Sequence, residues 1–198
     1  IHLILNTTQT ILENAKQSLL SQGESILKLT NYLNDDFAKT VQLIFESKGR
    51  LVVTGIGKSA IIAQKIVATL NSTGTPSIFL HAAEAIHGDL GMIQTGDLVL
   101  CISKSGNSPE IKVLAPIIKN FGTTLIGMTA NPTSFLATSS DLVLNAHVDA
   151  ECCPIGLAPT NSTTAQLVLG DAIAVCLMKL RNFQAEDFAK YHPGGALG

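Results

Sequence analysis

The chain has 198 residues, 46% of them hydrophobic and 14% charged, with 13 Lys and Arg against 15 Asp and Glu for a formal net charge of −2. That length fits one domain with a full core, and without any sizeable Lys/Arg cluster there is no electrostatic footprint for nucleic acid. Sparse charge with a mean hydropathy of +0.34 implies apolar surface covered by further copies of the chain, so a homo-oligomer is expected. Cys101, Cys152, Cys153 and Cys176 form no C-x-x-C pair or dense framework, which suits thiols in a reducing compartment. The apolar stretch 1–5 lacks the basic flank and cleavage site of a leader, and no apolar run approaches the ~18 residues of a membrane span. A cytoplasmic protein without a membrane partner is the expectation.

Residues 9–47 carry apolar side chains at helical spacing, such as Ile26, Leu29, Leu33 and Phe37, then Val41, Ile44 and Phe45. This predicts one long helix or two to three shorter ones, with Gly23 as a dividing point. After Gly49 the pattern changes to short apolar runs at 51–53, 77–80, 98–102, 124–128 and 142–144, read as five buried strands. Helical segments alternate with them at 58–70, 82–87, 109–121 and 133–137. A long apolar helix at 163–180 and a short one at 185–191 follow. Strand–helix alternation predicts an α/β fold, a three-layer α-β-α sandwich on a five-stranded parallel sheet. The chain is read as a single domain over 1–198, with N-terminal helices over 1–48 and the sheet and its site over 49–198.

Ligands of open parallel sheets bind beyond the carboxyl ends of the strands. The loops there read TGIGKSA (54–60), HAAEAIHGD (81–89), SKSGNSPE (103–110), TANPTS (129–134) and VDAECCP (148–154). In the third, Ser103, Ser105 and Ser108 offer hydroxyls, Gly106 permits a tight turn, and Ser108-Pro109 reads as N-cap and first helical residue. Free amides at such a helix start suit a phosphate, so a phosphate cradle is predicted. Lys104 and Asn107 lie in the same loop and are included in it. A Walker A loop is excluded, because it needs a glycine where Val52 stands. Gly55, Gly57 and Ala60 match a loose dinucleotide fingerprint, but the second strand runs into His81 instead of the acid that would bind a ribose. A nicotinamide cofactor stays an alternative; no cofactor is the expectation.

The stretches GIGKSAIIAQKIVATLNSTGTPSIFLHAAEAIHGDLGMI, SKSGNSPEI, CPIGLAPTNSTTAQLVLGDAIAVCL and EDFAKYHPGGALG together resemble the D-arabinose 5-phosphate isomerases of the SIS (sugar isomerase) fold, which is flavodoxin-like. The resemblance implies an aldose–ketose isomerase interconverting D-ribulose 5-phosphate and D-arabinose 5-phosphate, the first step toward the Kdo sugar of lipopolysaccharide. Many relatives carry a pair of CBS domains after HPGGALG; the expectation here is the SIS domain without them. The resemblance carries catalytic importance onto Lys58, Glu110, Glu151 and His192, and points to Gly74, Thr75, His81 and His87 as neighbours of the substrate. Gly57, Ser59, Thr160 and Ser162 complete the expected substrate contacts.

Isomerisation through an enediol requires a base, an acid for the hydroxyl protons and a positive group near the developing oxyanion. Lys58 suits the cation. Glu110, in a first helical turn, is favoured as a carboxylate by the helix dipole and needs some burial to act as a base. His192 suits ring opening and lies far enough along the chain to reach a neighbouring subunit's pocket. Glu151 could orient His192 or a sugar hydroxyl. His87 aligns with a histidine the family links to zinc, but its spacing from His81 makes a poor ligand pair and no metal requirement is expected. CMP-Kdo is a candidate inhibitor at the sugar site. The competing readings are a sugar-phosphate-sensing SIS module without catalysis and a hexulose-phosphate isomerase of the same fold.

Overall fold

The computed structural model describes residues 8–194; the stretch 1–5 and the last residues of HPGGALG lie outside them. The chain opens with α1 (Thr8–Leu29) and, after a single 3-10 turn at Thr30–Tyr32, α2 (Asp35–Glu46). Gly23 does not divide α1, because one glycine costs a helix only about 1 kcal/mol. The break comes instead at Asn34, whose side chain accepts the amides of Asp36 and Phe37 and so starts α2.

β1 (Leu51–Gly55), α3 (Lys58–Ser72), β2 (Ser77–His81), α4 (Ala82–Ala85), β3 (Leu98–Ile102), α5 (Pro109–Asn120), β4 (Thr124–Thr129), α6 (Phe135–Ser139) and β5 (Leu142–Asn145) follow, with α7 (Asn161–Leu180) and α8 (Ala185–Tyr191) closing the chain. Residues 86–88 are turns and not helix, and Asp89–Met92 forms a further 3-10 turn. The strands are all parallel in the order β2-β1-β3-β4-β5, the doubly wound order whose switch point lies between β1 and β3.

β1 and β3 are buried at every position, as a parallel sheet covered on both faces requires. Leu51, Val53, Leu100, Ile126 and Leu144 face α1, α2, α3 and α7, whereas Val52, Val99, Cys101 and Leu125 face α4, α5 and α6. Each fully buried aliphatic side chain contributes roughly 2 kcal/mol. The two helical layers are thus fastened to the sheet independently.

Among the described residues one helix, α7, is long and apolar enough to cross a membrane by length and composition, which corrects the expectation that no segment comes near. Only Asp171 and Lys179 bring charge to its 20 residues. Its stripe of Ala165, Leu169, Ile173 and Leu177 is buried in the core beside α2 and α3.

Candidate active site

β1 ends at Gly55, and Gly57, with φ 59° and ψ −129°, turns the chain directly into α3. A side chain there would be strained. Lys58 is consequently the first residue of α3, exposed on the carboxyl rim of the sheet without a hydrogen-bond or ion-pair partner among the described residues. Ser59 beside it donates to Gln166 of α7 at 3.2 Å, and Gln166 is buried.

The serine loop after β3 is fixed by its own backbone. Ser103 Oγ accepts the Gly106 amide and Ser105 Oγ accepts the Asn107 amide, each at 3.2 Å, while Asn107 Oδ1 takes the Phe135 amide at 3.0 Å. Gly106 has φ 64°, and a Cβ there would run into the Ser134 side chain and lie 2.9 Å from Thr129 Oγ1. Ser108 and Pro109 start α5 as expected, but Ser108 Oγ does not cap the helix and has no partner among the described residues. Glu110, in the first turn, is partly buried and likewise unpaired among the described residues.

Glu151 is no turn acid on the surface; its side chain is 1% exposed. Oε1 pairs with the Lys104 ammonium at 2.6 Å, and Oε2 accepts the Thr160 amide (2.7 Å), the Thr160 hydroxyl (3.1 Å) and the Ser162 amide (3.2 Å). The carboxylate thereby caps α7, satisfying donors a helix start leaves unpaired and meeting the positive end of its dipole. Burial works to raise its pKa, but Lys104 and the donors of Ser162 and Thr160 more than reverse this and bring it to about 2. It orients Lys104 and the start of α7, with no contact to His192.

Among the described residues buried side-chain polar atoms without a partner include Thr54 Oγ1 and His81 Nδ1, at the carboxyl ends of β1 and β2, and Ser108 Oγ at the start of α5. Buried polar atoms in native proteins are almost always paired. These three on one rim leave polar groups that a ligand could engage. Gln166 escaped the sequence reading, and Thr54 was included only as part of the loop 54–60, although a glutamine within an apolar helix was a visible signal.

Three expected site residues lie elsewhere within one chain. Gly74 and Thr75 precede β2 and so stand at the amino edge of the sheet. Gly74 is packed under Phe183 and Tyr191, and Thr75 Oγ1 accepts from Arg181 at the far end of α7. Twenty residues of α7 place that end about 30 Å from Glu151. His192 follows Tyr191, stacked on Phe188 at 3.8 Å with Nδ1 2.8 Å from the Phe188 carbonyl. His87 is exposed, and among the described residues no three His, Cys, Asp or Glu side chains converge to hold a metal.

The SIS domain family matches residues 43–176. The chain belongs to that family. It is 50% identical over 196 residues to the arabinose 5-phosphate isomerase KdsD of Pseudomonas aeruginosa, covering 98% of this chain and 60% of that protein. With KdsD of Escherichia coli K12 it shares 50% over 183 residues, covering 92% and 56%. The chain thus spans a little over half the length of these curated relatives. Its fold is also that of the E. coli CFT073 protein c3406 in complex with arabinose 5-phosphate, with a TM-score of 0.91 and 39% identity over 94% of this chain and 100% of that one.

Proposed function

We propose that this chain is the isomerase domain of an arabinose 5-phosphate isomerase, converting D-ribulose 5-phosphate to D-arabinose 5-phosphate on the path to Kdo and lipopolysaccharide. The observation that carries the reading is the rim itself, where an unpaired lysine, an unpaired glutamate and a serine loop with an orphan hydroxyl stand at neighbouring strand ends. The relatives named KdsD, and the arabinose 5-phosphate bound to c3406, support the same substrate class.

In this reading the 5-phosphate lies on the loop 103–108 and the first turn of α5, held by Ser103, Ser105, Ser108 and backbone amides. The sugar extends toward Lys58 at the next strand end. Glu110 takes the C2 proton of the aldose and returns it to C1 of the enediol, while the hydroxyl proton passes from O2 to O1. Lys58 stabilises the oxyanion that develops between them. Glu151, saturated by Lys104, Thr160 and Ser162, is a poor base and a good support, so Glu110 is the better assignment for proton transfer. His192 opens the furanose ring, and it acts with Gly74 and Thr75 across a subunit boundary, since one chain holds them at its opposite edge.

Shared sites need an oligomer, for which a tetramer is proposed. Support comes from α1, whose amphipathicity is inverted. Ser18, Ser21, Gln22 and Ser25 turn inward to Cys152, Asn161 and Thr164, whereas Leu12, Leu19, Leu20 and Leu27 are each at least half exposed. A helix that turns its polar face to the body leaves its leucines for another copy. A cytoplasmic setting fits four free thiols. CMP-Kdo is proposed to compete at the sugar site; absence of inhibition at millimolar concentration would remove it.

The test is turnover. The protein is expected to convert arabinose 5-phosphate to ribulose 5-phosphate, and a mixture of inactive Lys58→Ala and inactive His192→Ala proteins is expected to regain activity after verified subunit exchange. Binding without conversion would sink the isomerase reading, and exchange without recovery would sink the shared site.

A further inference from the structure

Lys104 stands between two claims on its charge. Its backbone belongs to the serine loop, where its carbonyl accepts the Ala130 amide at 3.0 Å and the Thr129 hydroxyl at 3.1 Å, so its root is fixed beside Ser103 and Ser105. Its ammonium reaches away from that loop to Glu151, beyond the end of β5. The lysine side chain is 45% exposed and its partner 1%. One end of this bridge is free to leave; the other is not.

We propose that Lys104 is a positioning residue that couples occupation of the serine loop to the state of Glu151. This rests on the reading that a sugar phosphate binds the carboxyl rim. A phosphate dianion on loop 103–108 attracts a half-solvated ammonium more strongly than a single carboxylate does, because the attraction scales with charge at similar distance. As the ammonium turns to the phosphate, Oε1 of Glu151 is released while Oε2 stays held by Thr160 and Ser162. The freed oxygen accepts a sugar hydroxyl and fixes the chain of the sugar against Lys58 and Glu110.

The groups that face Glu151 make the coupling specific. Lys104 is its charged partner. α7 brings Thr160 and Ser162 to it, α1 brings Ser18 to the adjacent Cys152, and Cys153 on its own segment is turned to the Leu157 and Ala158 amides. Asp149, two residues earlier, is paired with Lys28 at 2.5 Å and lies 3.5 Å from His147. Lys58 opens α3 on the same rim without contacting it. Withdrawal of Lys104 therefore leaves the carboxylate with neutral donors alone.

A pentose phosphate should then differ from a bare sugar in kcat as well as in KM. The experiment first establishes arabinose 5-phosphate turnover by the wild type, whose failure would count against the isomerase reading and not against Lys104. It then measures turnover of the unphosphorylated tetrose D-threose, which keeps the C2 and C3 configuration of arabinose, with and without phosphite dianion, for wild type, Lys104→Met and Lys104→Arg. Phosphite is expected to raise wild-type turnover at least ~10-fold in kcat, to leave Lys104→Met unchanged, and to act again on Lys104→Arg. The acid limb of the Lys104→Met kcat/KM profile for arabinose 5-phosphate, which reports the free enzyme, should also move to higher pH, since the unliganded Glu151 has lost its cation. Carboxyl 13C shifts of wild-type Glu151 give a readout independent of any variant. They should move on binding arabinitol 5-phosphate. If Lys104→Met loses only KM, with kcat, phosphite activation and pH profile intact, or if the Glu151 signal ignores the phosphate, Lys104 is a simple anion contact and the coupling is wrong.

Discussion

The two edges of the sheet are built from the same residue types to opposite ends. At the amino edge three carboxylates are tied to strand starts. Asp97 accepts the Arg50 amide, Nε and Nη2 and the Gln94 amide, Asp141 takes the Leu125 amide, Asp36 takes the Val143 amide, and Asn71 braces Ser77 in both directions. These contacts clamp strand starts. At the carboxyl edge Thr54, His81 and Ser108 keep buried polar atoms unpartnered among the described residues, and Lys58 and Glu110 have no partner there either. One edge commits its polar groups to the fold and the other holds them for a ligand, with Glu151 as the point where the two uses meet.

Substitutions at the two edges should therefore separate activity from stability. Lys58→Ala is expected to lower kcat/KM by about 10²–10⁴-fold, the range for a lost acid–base or electrostatic group, with an unchanged thermal midpoint. Asp97→Asn should do the reverse. It leaves Arg50 underpaired against a side chain only 2% exposed in the parent, costing about 3 kcal/mol in urea unfolding, while the folded fraction keeps its kcat. Equal losses of both quantities in either variant would erase the distinction.

Glu151 predicts a pH signature. Its folded pKa of about 2 lies below the ordinary 4.5, so its contribution is fully present above pH 4.5 and is lost as the pH falls toward 2. At about 1.4 kcal/mol per unit the shift amounts to about 3 kcal/mol. Glu151→Gln should be less stable at pH 7 and show a flatter decline across that acid window; parallel curves would contradict the assignment. The smallest effect is the sharpest. Ser108→Ala removes a buried hydroxyl that has no partner, so stability should stay level or rise by up to about 1 kcal/mol, while KM for the sugar phosphate rises about tenfold. A stability loss without a KM change would show that the hydroxyl serves the fold.

Much of the architecture could be read from the chain because a parallel sheet writes itself as continuous apolar runs, and all five stand where expected. β1 runs two residues further because Thr54 and Gly55 still pair with β2 and β3, which their polarity and size conceal. The role of Asn34 as the start of α2 was local and readable. The role of Glu151 was not. Its ammonium partner lies 47 residues away, and no spacing rule links the loop after β3 to the segment after β5. The separation of Gly74 and Thr75 from Lys58 was equally hidden, since it depends on the strand direction of β2 and the length of α7 and not on any motif.

The most direct test is the position of arabinose 5-phosphate in crystals of this protein. The phosphate is expected on the loop 103–108 within hydrogen-bond reach of Ser108 Oγ, with the first two sugar carbons toward Lys58 and Glu110. Density instead in the cleft of the amino edge, between Gly96, Asp97 and Thr124, would contradict the division of labour between the two ends of the sheet.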